Sequence, residues 1–155
     1  MGYVREATAK DAFELAPKLR QDDLDEIAAA SGREPLNTLL EGIAHSAVPA
    51  AVIGDKGEVV ALFGVVPTPL AGVGAIWLLG SDGLWTYRWQ FLRESRQWIE
   101  DLQEAWPILW NFVYAENELH IKWLKWLGFN FTKLHDKWGV AQKPFWEFIR
   151  SKPGV

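Results

Sequence analysis

The chain has 155 residues, a net charge of −4, no cysteine, and a composition 49% hydrophobic and 23% charged. That length and balance suit one globular domain with a real core, expected over residues 1–150, with 151–155 as a flexible tail. An acidic total without a basic cluster argues against nucleic acid as the main ligand, and no run approaches the length of a membrane span. The missing thiols exclude a disulfide framework and a cysteine nucleophile.

Tyr3-Val4-Arg5-Glu6-Ala7 reads as a short strand, and Thr8 to Asp11 as a capping box opening a helix whose inner face carries Ala12, Leu15, Ala16 and Leu19. Pro17 predicts either a kink or an end and restart. Asp22-Asp23 opens a second helix that Ser31-Gly32 closes, and Pro35 fits the first turn of a third, running to about Ser46. Ala51–Ile53 and Val59–Val66 are strands joined by a hairpin turn at Gly54 to Gly57, and Ala75–Leu79 is a fourth strand. Phe91, Leu92, Ser95, Trp98, Ile99 and Leu102 share one face of the clearest helix. The β-branched and aromatic run Ile108–Ala115 is a strand, broken by Glu116-Asn117. A helix follows with Ile121, Leu124 and Leu127 inward, and Gly128 suits its left-handed stop. Phe131–Leu134 and Phe145–Ile149 are the last strands.

Asn117, the short helix and Leu127-Gly128-Phe129 resemble the closing signature of the GNAT N-acetyltransferase superfamily, and the order of the other elements matches that fold. A narrower resemblance is to the GNAT-like internal virion protein A family of tailed bacteriophages. It is carried by Val4–Thr8, Val60–Gly64, Trp77–Ser81, Phe91–Ser95 and Trp123–Phe129. The resemblance implies an α/β (α+β) fold: a mixed, mostly antiparallel sheet of six to seven strands, helices on both faces, and a splay between the fourth and fifth strands. Acetyl-CoA would lie in that splay with its pyrophosphate on the leading amides of the long helix. The implied cofactor positions are Leu79, Gly80, Tyr87, Arg88, Trp89 and Asn117.

The match departs from the superfamily at two places. The segment Gly83 to Phe91 has no internal glycine pair and carries bulky Trp85, Tyr87 and Trp89. Either the amides of Arg88 and Trp89 still face an anion, or Thr86 caps a helix and the aromatics pack or plug the cleft. The tyrosine that commonly protonates the departing thiolate is replaced by Leu124, which leaves Tyr114 as the candidate acid and Asp82, Glu116 or His120 as the candidate base. Each also has a plain structural reading: a core or edge tyrosine, a turn aspartate, a helix-surface histidine, and for Asn117 a helix cap. His45 and His135 lack spaced partners, so no metal site is expected. All ten tryptophans fall between Trp77 and Trp146, as core aromatics or as an exposed patch for a protein or acyl-chain partner.

Two functions are compatible with these features. One is a phage protein with a degenerate acetyl-CoA motif, binding a virion or host partner during assembly or host takeover and retaining acyl-CoA binding. It would act in the host cytoplasm during infection or in the virion. The other is an active N-acetyltransferase acting on an amine of a host protein or small molecule.

Overall fold

The computed structural model describes residues 2–154, so Met1 and Val155, the last residue of the expected tail, lie outside the described residues. The chain runs β1 (Tyr3–Glu6), α1 (Ala9–Leu15), a 3-10 turn (Ala16–Lys18), α2 (Gln21–Ala30), α3 (Pro35–His45), β2 (Ala50–Ile53), β3 (Val59–Pro67) and β4 (Val73–Gly80). It continues through a single turn α4 (Gly83–Thr86), α5 (Arg88–Ala105), β5 (Ile108–Tyr114), α6 (Glu118–Trp126), β6 (Asn130–Trp138) and β7 (Lys143–Ser151).

The local rules account for most of these boundaries. The capping box forms, with the Thr8 amide donating to the Asp11 carboxylate at 2.8 Å. Pro17 converts the helix end into the 3-10 turn, and Pro35 is the first residue of α3. Gly128 adopts φ +83°, which lets the Phe129 amide reach back to Leu124 O at 3.0 Å and close α6. The last two strands are longer than their apolar cores suggest. Ser151 still pairs with Ile108, and the Lys152 amide donates to Pro107 O at 2.7 Å.

The seven strands form one sheet in the order β1-β2-β3-β4-β5-β7-β6, with β4–β5 the parallel pair among antiparallel neighbours. β3 is central and buried from Val59 to Val65, which is why it reads as an unbroken apolar run rather than an alternating one. Leu39, Ile53, Leu62 and Leu15 pack under α1 to α3 on one face. Phe63, Ile99, Leu109, Leu124 and Phe148 pack under α5 and α6 on the other. Among the described residues no helix is long and apolar enough to cross a membrane.

The feature that places the site is the β4–β5 junction. The strands pair only from Val73–Ala75 to Ile108–Trp110 and then part. At the fork, Asn111 Nδ2 donates to Ile76 O at 2.8 Å, so a side-chain amide takes the place of the next ladder bond.

Candidate functional site

The open edge of β4 is taken by the chain itself. Leu19 bridges to Ser81, the Arg20 amide donates to Gly80 O at 2.9 Å, and the Gly80 amide donates to Asp23 Oδ2 at 3.0 Å. On the facing strand the Tyr114 amide donates to Glu26 Oε1 at 2.9 Å. Two carboxylates one turn apart on α2 therefore each satisfy a backbone amide, one on each of the parted strands.

Asn117, 0% exposed, ties these groups together. Its Oδ1 accepts from Arg20 Nη2 at 2.9 Å, and its Nδ2 donates to Asp23 Oδ1 at 3.1 Å and to Glu26 Oε1 at 3.4 Å. The Arg20 guanidinium lies 3.6 Å from Asp23 and 3.8 Å from Asp22. Burial raises the Asp23 carboxyl, against the pull of Arg20. Burial likewise pushes Glu26 up to about 7, against the bond from the Tyr114 amide. His120 borders the cluster, and burial, helped by the Arg20 charge, lowers its imidazole to about 3 and holds it neutral.

A cavity lies on each side of this cluster. The first, about 420 Å³, is walled by the start of α5 and by α6, with Leu84, Phe91, Leu92 and Trp123 among its lining and Asp23 at its floor. The second, about 370 Å³, lies toward α2 and α3 and is lined by Glu26, Trp77, Asn111, Phe112 and Phe145. Leu78 and His120 border both.

The residues expected from sequence divide into three groups. Gly80 and Asn117 sit in the gap, both engaged by α2 or by Arg20, and Leu79 lines the second cavity. Arg88 and Trp89 line the first cavity. The Arg88 guanidinium lies 4.1 Å over the Trp85 ring and 5.2 Å from that of Trp89, and donates to Trp85 O at 2.7 Å. Tyr87 points elsewhere, its hydroxyl accepting from the Asp55 amide at 2.8 Å, and so does not plug the cleft. Trp85 and Trp89 stand at the rim, leaving the cavity open.

Tyr114, Glu116 and Asp82 are not brought to either cavity. The Tyr114 ring packs on Phe145, and its hydroxyl donates to Glu116, a bond that pushes its pKa up to about 12 and makes it a reluctant acid. Asp82 is an exposed turn residue beside α4. His120 is buried and faces the cavities, not the helix surface. Leu124, at the usual tyrosine position, is 1% exposed and belongs to the core.

Arg20, Asp23 and Glu26 were not singled out by sequence, where Asp22-Asp23 serves only to open the second helix. One signal was available: Asp23 and Glu26 share a helix face with Ile27 and Ala30, so carboxylates occupy a stripe that ought to be apolar.

Two of the places an acetyl-CoA would use in the superfamily are already engaged by the chain itself. Gly80, on the edge a coenzyme arm would pair with, has both backbone groups engaged. The segment that would wrap a pyrophosphate is wound into α4, with the Leu84 amide bonded to Ser81 O, Trp85 to Asp82 O and Tyr87 to Gly83 O.

A family model described as "Bacteriophage T7, probable scaffold protein Gp13" matches residues 43–136, more than half of the chain. The description is of a scaffold protein and not of internal virion protein A. No curated protein matches the sequence. Solved structures of similar fold include Ard1 from Thermoplasma volcanium, with TM-score 0.75, 16% identity and 97% of each chain covered. Ribosomal-protein-S5-alanine acetyltransferase from Vibrio fischeri has TM-score 0.70 and 16% identity, covering 99% of this chain and 94% of the other. A GNAT phosphinothricin acetyltransferase from Sinorhizobium meliloti, solved with AcCoA, has TM-score 0.69 and 14% identity, covering 97% and 88%. At these identities the likeness is one of fold: the chain has the GNAT architecture.

Proposed function

The chain belongs to the bacteriophage T7 probable scaffold protein Gp13 family, and from that premise we propose that it is a phage virion-assembly protein that holds a protein partner through the cleft of a GNAT fold. In this reading acetyl transfer is not its activity, and it works in the host cytoplasm during infection, where particles are built. The internal virion role implied by the narrower resemblance is a refinement of the same reading.

One observation carries it: the N–H and C=O of Gly80 are bonded to Asp23 and Arg20, so the chain's own α2 segment occupies the end of the strand edge that coenzyme binding would use. The cavity that remains is apolar and open, suited to a side chain from a partner more than to a charged arm of phosphates.

The runner-up is acetyl transfer to an amine, and it too has a specific support. Glu26 lines the second cavity with a carboxyl near 7, the range of a working general base. Thermal melting with CoA separates the two. A ligand at 100 times its dissociation constant adds about 2.7 kcal/mol, which at this size raises Tm by several degrees. The assembly reading expects no shift at millimolar CoA, and it expects phage lacking the gene to make defective particles that the chain restores in trans. A clear CoA shift with acetylation of an amine panel, or normal particles without the gene, would overturn it.

A further inference from the structure

Four of the large apolar residues exposed on this protein, Trp85, Trp89, Leu119 and Trp126, border one cavity. The three tryptophans are 57%, 64% and 48% exposed, whereas the other seven are buried or half-buried. Each is matched with an arginine: Arg88 over Trp85 and Trp89, and Arg96 4.3 Å over Trp126, its Nη2 also donating to Trp126 O at 2.9 Å. Lys122 lines the same opening. Among the described residues, none of these three cations forms an ion pair, although the chain as a whole carries four more acidic than basic residues. Among the described residues the only carboxylate lining the cavity is Asp23, buried and bonded to Gly80 and Asn117.

We infer that this rim is the docking site for an acidic segment of a partner protein, one bulky apolar side chain entering the cavity while flanking Asp or Glu residues meet Arg88, Arg96 and Lys122. The inference rests on the partner-binding reading above and adds the chemistry of the bound segment. Tryptophan and arginine around an apolar hollow is the composition of a protein-binding hot spot, and clustered exposed apolar surface of this kind is rare on a surface without a partner. Charge complementarity selects the acidic flanks. Nucleic acid fits less well, because three cations around a hollow are not a track for phosphates on a chain of net charge −4. Coenzyme A would have to do without the amides of Leu84, Trp85 and Tyr87, which are already bonded.

The test uses a fluorescein-labelled peptide of sequence Glu-Glu-Leu-Trp-Glu-Glu, its counterpart with every Glu replaced by Lys, and labelled oligothymidine, all read by fluorescence anisotropy on the full chain. The acidic peptide is expected to bind at least about tenfold more tightly than the lysine peptide or the oligonucleotide, and to weaken as salt is raised. Trp89→Ala and Arg96→Glu, both at exposed positions, are each expected to weaken it about tenfold, with an unchanged melting temperature certifying the fold. Equal binding of the two peptides, no binding of the acidic one, preferred binding of oligothymidine, or full binding by both folded variants would overturn the inference. The same samples are melted with CoA. No CoA shift and no peptide binding would sink the acidic segment alone, whereas a CoA shift with amine acetylation would sink the partner reading beneath it.

Discussion

Asn117→Ala removes a side chain that bonds Arg20, Asp23 and Glu26 together. It loses three hydrogen bonds, at 2.9, 3.1 and 3.4 Å, all to charged or chargeable groups in a region where Asn117 itself is 0% exposed. Bonds to charged groups contribute roughly 1.5–3 kcal/mol each, but the long third contact is weak and Arg20 keeps its approach to Asp23. The sum expected is about 3 kcal/mol. Asn117 makes no side-chain cap bond at the start of α6, so the loss reports on the cluster and not on the helix end. For a chain of this size about 3 kcal/mol lowers Tm by roughly 6–12 °C. Melting followed by circular dichroism, with urea unfolding as a check on the slope, measures it. A fall in Tm of less than about 2 °C would refute the claim that this network holds the parted strands.

Glu26→Gln isolates the carboxyl whose pKa rises from 4.5 to about 7 on folding. A raised acid holds its proton more tightly in the folded state, so its stabilisation is present below pH 4.5 and is lost as pH climbs through 7. The Tm advantage of the parent over Glu26→Gln should therefore shrink between pH 5 and pH 8, and an advantage that grows would refute the burial assigned to it. Gly80→Ala would place a methyl against Leu84 Cδ1 and 3.2 Å from Ala61 Cβ. Overpacking of about 1–3 kcal/mol is expected by urea unfolding, and an unchanged midpoint would refute the tight approach of α4 to β4. Tyr114→Phe removes the bond to Glu116 at the end of β5. It should cost less than about 1.5 kcal/mol and leave binding of the acidic peptide unchanged; a lost peptide complex would place that hydroxyl at the cavity after all.

The secondary structure was legible because its causes are local. A proline at Pro35, a glycine at Gly128, the 3.6-residue stripe of α5 and the continuous apolar run of β3 each act within a few positions. Their order carried the resemblance to the GNAT fold, and it was that resemblance that implied the parting of β4 from β5. The site residues were legible only in part. Asn117 and Gly80 do lie in the gap, where Asn117 bonds Arg20 and Gly80 bonds Asp23. Tyr114 was named for its hydroxyl, and it is its backbone amide that reaches the gap.

By itself the sequence determined which segments become helix and strand and that the fold belongs to the acetyltransferase architecture. The tertiary structure alone decided what fills the parted strands. Arg20 and Asn117 are 97 positions apart, and Asp23 and Asn117 are 94 apart. No periodicity or turn rule reaches that far. Those partners meet because buried strand edges must be hydrogen-bonded, and the nearest donors and acceptors are whichever ones the packing of α2 brings there.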